Sequence, residues 1–123
     1  MSRKCTCDTN ICYCGAVSVL TGKKNDQEKP DLSLLPKVFL DGTARAFMHG
    51  EKKYGRYNYR NGMDWHRLLA AALRHLTAFN DGEEIDVDSG NSHLAHASAS
   101  IAMLMTYVAE GLGKDTRHAS NKK

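Results

Sequence analysis

Residues Asp86 to His96 read D-V-D-S-G-N-S-H-L-A-H, placing two carboxylates and two histidines within eleven residues. His93 and His96 stand three apart. On a helix that spacing puts both imidazoles on one face, a common arrangement for histidine metal ligands. Glu83, Asp86 and Asp88 come just before them in a glycine-bounded loop. Carboxylates are hard oxygen ligands for Mg²⁺ or Mn²⁺, and they can orient a water as general base. A helix opening at this point would also offer free N–H groups and a positive dipole end to an anion such as phosphate. The residue types therefore suit divalent-metal chemistry on a phosphate. The plainer alternative is a helix start, with Asn91 or Ser92 as its cap and Asp86 and Asp88 complementing its dipole.

A second segment carries binding chemistry. The run K-K-Y-G-R-Y-N-Y-R-N-G, from Lys52 to Gly62, mixes bases with tyrosines. Lys52, Lys53, Arg56 and Arg60 can meet phosphates, while Tyr54, Tyr57 or Tyr59 stacks on a base. The same composition suits single-stranded nucleic acid, or a connector whose tyrosines pack on helices. A third segment is C-T-C-D-T-N-I-C-Y-C, which holds Cys5, Cys7, Cys12 and Cys14. Four thiolates can hold one structural zinc. Free thiols and disulfides are the alternatives, and disulfides are the less expected in a cytosolic chain.

These segments need elements to position them. A helix is expected from Pro36 to His49, with Pro36 in its first turn and Gly50 as its stop. A second begins after Asp64 as cap and carries the apolar stripe Trp65, Leu68, Leu69, Ala72, Leu76 and Phe79. His75 lies on that stripe, and Arg74 points elsewhere. A third runs from Asn91 or Ser92 to Glu110. The short loop between the second and third predicts antiparallel packing that brings His75 toward His93 and His96. The fold class is all-α: three principal helices behind a cysteine-rich extension that includes a possible short strand at 15–20. The organisation expected is an extension and linker at 1–28, a helical domain at 29–113 and a polar tail at 114–123.

The bulk properties set bounds. A chain of 123 residues supports one domain with a modest core, and three helices make that core thin, so a homo-oligomer is expected. No run reaches the roughly 18–20 apolar residues that span a bilayer. Nor does the N-terminus read as a secretory signal. The expected compartment is the cytoplasm, with no membrane partner. A net charge of +3 is too small to argue for nucleic acid.

Four blocks together resemble a known family. They are K-P-D-L-S-L-L-P, H-G-E-K-K-Y-G-R-Y-N-Y-R-N-G, L-R-H-L and G-E-E-I-D-V-D-S-G-N-S-H-L-A-H-A, in this order between Lys29 and Gly113. They are similar to the phage-encoded dATP/dGTP diphosphohydrolases. The resemblance implies an enzyme that splits a purine deoxynucleoside triphosphate into monophosphate and pyrophosphate, as MazG-like all-α pyrophosphohydrolases do. It implies a role in adjusting a phage nucleotide pool in the host cytoplasm, and a divalent cation (Mg²⁺, Mn²⁺ or Co²⁺). Residue by residue, Lys53, Tyr54, Gly55 and Asn58 match the family's K-Y-G and following Asn. Arg74 and His75 match its R-H. Glu83, Asp86, Ser89, Gly90, His93 and His96 match its last block, with Asp88 where an acid is usual. Tyr59 stands where Trp is expected.

The expected roles are these. Glu83, Asp86, Asp88 and His93 are catalytic. His75, Glu83, Asp86, His93 and His96 hold metal. Lys53, Tyr54, Arg56, Tyr57, Asn58 and Arg74 bind substrate. The competing functions are a nucleotide-binding sponge that does not hydrolyse its ligand, and a zinc-stabilised interaction protein built on the cysteines.

Overall fold

The computed structural model describes residues 22–118. The four cysteines and the expected short strand lie outside the described residues. The chain divides at Leu32/Ser33. The described residues before that point are exposed and include one turn, in which the Lys29 amide donates to the Asp26 carbonyl at 3.1 Å. The unit from Ser33 onward contains helices α1 (Lys37–Tyr54), α2 (Trp65–Asn80) and α3 (His93–Glu110), with a 3-10 turn at Asn58–Asn61 between α1 and α2. Among the described residues there are only two isolated β-bridges, and the unit is all-α as expected.

Helix α3 is the centre, and both α1 and α2 pack on it. It buries His93, Ala95, Ala97, Ala99, Ser100 and Tyr107. Most of these side chains are small, so the neighbouring helices come close. A Cβ placed on Gly42 of α1 would lie 3.4 Å from the Ala95 Cβ. Gly42 is thus part of the surface on which α1 meets α3. Ala46, Ala95 and Ala99 form the core cluster, with Phe47 against it, and the Thr43 and Ser98 hydroxyls hydrogen-bond at 2.6 Å.

Helix α1 runs one turn beyond the expected stop at Gly50. Gly50 keeps a negative φ, and the left-handed position falls at Gly55 (φ 94), whose amide donates to the Glu51 carbonyl. Lys52 and Lys53 in the last turn complement the dipole there. In α2, Leu68 and Ala72 are buried as expected, but Leu69, Leu76 and Phe79 are 46%, 40% and 40% exposed. A helix that packs chiefly on one neighbour buries a narrow stripe, and here that stripe continues from Ala72 to His75.

Asp64 occupies the cap position of α2 without making a side-chain cap bond. The C-terminal segment closes that end instead. The Trp65 amide donates to the Lys114 carbonyl at 2.9 Å, and the His66 amide donates to Thr116 Oγ1 at 3.0 Å. The Trp65 indole donates to the Leu112 carbonyl at 2.8 Å. Residues 114–116, expected in a polar tail, therefore complete a helix start. The approach is close enough to require glycine: a Cβ on Gly113, at φ 71, would fall 2.2 Å from the Met63 carbonyl oxygen.

The loop after α1 is fixed on α3. Tyr107, wholly buried, donates its hydroxyl to the Tyr59 carbonyl at 2.5 Å. The Tyr59 ring meets Phe47 edge-on at 5.4 Å, and Arg60 pairs with Glu110.

Gly113→Ala is expected to destabilise the domain by about 1–3 kcal/mol, because a strained left-handed φ and a backbone clash coincide. Thermal unfolding checks this: Tm should fall by several degrees, whereas Gly82→Ala, strained but open, should cost less.

Candidate active site

The loop from α2 to α3 folds back on itself before α3 begins. The Asp86 amide donates to the Asn91 carbonyl at 2.8 Å, the Gly90 amide to the Asp86 carbonyl at 2.7 Å, and the His93 amide to the Glu84 carbonyl at 3.0 Å. Ser92 then caps α3, its hydroxyl accepting the Leu94 amide at 3.0 Å. This fold-back sets Glu83 and Asp86 beside the first turn of α3, where His93 and His96 sit. His75 arrives from α2, as the expected antiparallel packing requires.

The imidazoles form a tight group. His75 Nδ1 and His93 Nδ1 are 2.8 Å apart and share a hydrogen bond. The rings of His75 and His96 stack at 4.8 Å. His96 Nε2 meets Ser89 Oγ at 2.6 Å, and that hydroxyl donates to Asp86 Oδ2 at 3.0 Å. Ser89 has one proton to give. When it goes to the Asp86 carboxylate, His96 must carry its own proton on Nε2 and donate it to Ser89. The Ser89 oxygen also accepts the Asn91 amide at 3.1 Å. His96 Nε2 and His93 Nε2 each lie 3.5 Å from a carboxylate oxygen, of Asp86 and Glu83 respectively.

Burial lowers the His75 and His96 pKa values, and the neighbouring imidazole lowers each further, against the opposing pull of Asp86. Burial alone would raise the Asp86 carboxyl. The Ser89 hydrogen bond and the His96 charge overcome it, and the pKa falls below the ordinary value. Neutral imidazoles beside an ionised carboxylate are the protonation states a metal site needs.

A fourth histidine joins that was not expected. The His49 ring of α1 lies 5.8 Å from His96, edge to face. It stands 26 residues before His75 in the chain, so no local spacing announced it; only the packing of α1 on α3 does. Asp88 does not join the imidazoles. Its side chain is exposed, and its backbone amide serves the Asp86 carboxylate.

His93 Nε2 is the atom that bears on metal. It is buried and has no hydrogen-bond partner. Whichever ring nitrogen holds the proton, a buried donor or a buried lone pair is left facing Glu83, a costly arrangement without a third party between them. Among the described residues, no three His, Cys, Asp or Glu side chains are already gathered to hold an ion; the nitrogens bond to one another and to Ser89. Imidazole nitrogens and carboxylate oxygens are donor types that divalent cations take, and a cation bound through the Nδ1 atoms would have to displace the His75–His93 hydrogen bond.

The substrate-binding expectations gather in a different place. A groove of about 910 Å³ lies between the second half of α1, the following loop and α2, with Ser100 and Met103 of α3 also lining it. Tyr54, Arg56, Tyr57, Asn58 and Arg74 line it. Lys53 does not; its ammonium sits over the Tyr54 ring at 5.5 Å. Tyr57 takes a left-handed backbone conformation, φ 65, at the start of the 3-10 turn. None of the clustered imidazoles lines this groove. Arg74 connects the two places, since it is the neighbour of His75 on α2.

Residues 20–117 match the family model described as dATP/dGTP diphosphohydrolase, N-terminal. The chain belongs to this family. It is 38% identical over 85 residues to a dATP/dGTP diphosphohydrolase of Salmonella phage PMBT28. That match covers 69% of this chain and 29% of the relative, so the chain spans under a third of the relative's length. No solved structure matches. The family match runs on through the segment 114–117 that closes the start of α2.

His93→Leu removes a buried, unpartnered polar atom and keeps the backbone bond to Glu84. It also takes the Nδ1 partner from His75, so the gain and the loss oppose each other and the expected result is a Tm close to that of the wild type. A fall of several degrees in a thermal melt would mean that the imidazole serves the fold rather than a ligand.

Proposed function

We propose that this chain works as a metal-dependent pyrophosphohydrolase of purine deoxynucleoside triphosphates, releasing monophosphate and pyrophosphate. The observation that carries the reading is the convergence of His75, His93, His96, Asp86 and Glu83 beside Arg74, in a chain of this family. His75, Glu83, Asp86, His93 and His96 would hold the divalent cation, which supplies Lewis acidity and an activated water. The imidazole-rich set favours Mn²⁺ or Co²⁺ over Mg²⁺.

The chain's own residues do the rest. Asp86, kept ionised, accepts a proton from the attacking water or orients it. Arg74, at the junction of cluster and groove, neutralises the phosphates. The groove takes the nucleoside, with Tyr54, Tyr57 and Asn58 along its wall. Water adds at the α-phosphorus, the bond to the bridging oxygen breaks, and pyrophosphate leaves. Adjustment of a phage nucleotide pool in the host cytoplasm follows from that activity. No helix among the described residues is long and apolar enough to cross a membrane. Homo-oligomerisation finds support in the exposed leucines of α2, Leu69, Leu73 and Leu76.

A second reading has its own support. The basic and aromatic loop that borders the groove, with Arg56, Tyr57 and Asn58, would hold a nucleotide equally well without hydrolysing it.

Incubation with each of the four deoxynucleoside triphosphates and Mg²⁺, Mn²⁺ or Co²⁺, followed by chromatography, separates the two. Monophosphate and pyrophosphate from a purine substrate are expected. Asp86→Asn and His93→Leu should each lower turnover at least about 100-fold with the fold retained. Intact nucleotide recovered under every metal would overturn the hydrolase reading.

A further inference from the structure

Six arginines lie among the described residues, and one of them, Arg45 on α1, does not line the groove. Arg56, Arg60 and Arg117 are each paired with a carboxylate, from Glu51, Glu110 and Asp115. Arg67 and Arg74 make no side-chain hydrogen bond or ion pair among the described residues, and both line the groove. They stand seven residues apart on α2, hence about 10 Å along its axis.

Their surroundings differ. Arg74 also borders a second depression that holds Glu83, beside the imidazole cluster. Arg67 lies in the first turn of α2, just after the loop that carries Tyr57 and Tyr59. Arg67 therefore stands at the tyrosine end of the groove and Arg74 at the end nearest the cluster. Phe47, Tyr59 and Met103 also line the groove, the first two meeting edge-on, and such flat or apolar walls suit a planar ring.

We propose that Arg67 is a specificity residue that reads the guanine base, its guanidinium donating to N7 and O6 while the phosphates run back along α2 toward Arg74. This rests on the nucleotide reading above, which sets the phosphates at the cluster. An unpaired guanidinium fork matches two neighbouring acceptors. Guanine offers N7 and O6 side by side, adenine offers N7 beside an N6 donor, and cytosine offers a donor. One arginine at the ring end therefore selects guanine over adenine and cytosine. Arg67 was not among the residues expected to bind substrate; Tyr54, Tyr57 and Asn58, which line the same groove, were.

The test is equilibrium binding to the full chain, with Mn²⁺ present, of α,β-methylene analogues of dGTP, dATP and dCTP and of inorganic tripolyphosphate. Wild type should prefer the dGTP analogue. Arg67→Ala should weaken it by about tenfold or more, weaken the dATP analogue less, and leave tripolyphosphate unchanged. Arg67→Lys, which keeps the charge and loses the fork, should not restore the preference. Arg74→Ala should weaken every ligand, tripolyphosphate included. Both side chains are exposed, so circular dichroism should show the fold intact.

Equal weakening of all ligands by Arg67→Ala would make it a phosphate ligand and overturn the proposal, as would no change or no guanine preference in the wild type. Guanine-selective binding without turnover would sink the hydrolase reading and leave this one standing. Turnover with an unchanged guanine-to-adenine ratio in Arg67→Ala would do the reverse. Failure of any nucleotide to bind would end both.

Discussion

The face that α3 turns to its neighbours is built from small side chains, and the placement of the site depends on it. Ala95, Ala97, Ala99 and Ser100 leave no bulk between helices, so α1 settles onto Ala95 through Gly42 and the Thr43 and Ser98 hydroxyls touch. Helix backbones held this close bring even short side chains from different helices into contact. That is how an imidazole from α2 reaches one on α3, and how His49 of α1 comes alongside His96. Larger residues on α3 would fill the core better and push the imidazoles apart. The cost is a core with little apolar volume, in which Leu68 and Tyr107 are the bulky buried residues.

Much of this was legible in the chain. Three helices, the antiparallel turn between α2 and α3 and the meeting of His75 with His93 and His96 all follow from local spacing. The cap at Ser92 follows too, since a serine before an apolar run has one favoured use. The misreadings share a cause. Gly50 reads as a stop, but a glycine ends a helix only where the backbone turns left-handed, and that turn falls at Gly55. Asp64 reads as a cap, but Lys114 and Thr116 return from 50 residues away to take its place. His49 and Arg67 carry no local signature at all. Each acquires its setting only through contacts between distant parts of the chain.

At His93 the needs of folding and of chemistry diverge. A buried ring nitrogen without a partner lowers stability, and a leucine of similar reach would relieve it. The burial of that nitrogen against Glu83 makes sense where a further charge or a water is to complete it. The Ser89 bridge points the same way. It orders a carboxylate and an imidazole that would otherwise face each other at 3.5 Å, and it fixes which His96 nitrogen carries the proton.

The division of labour on α2 follows from helix geometry. Successive residues point about 100° apart around a helix, so His75 can face α3 while Arg74 faces the groove. Two adjacent residues thereby serve two different environments, one dense with ring nitrogens and the other open, apolar and cationic. The nucleotide proposed as ligand would use both, its anionic chain at Arg74 near the imidazoles and its planar head in the space that Phe47 and Tyr59 border. Moving Arg74 by one position would turn the guanidinium away from the groove, and moving His75 would break its bond to His93. The adjacent pair R-H thus places one side chain in each of the two environments from a single turn of α2.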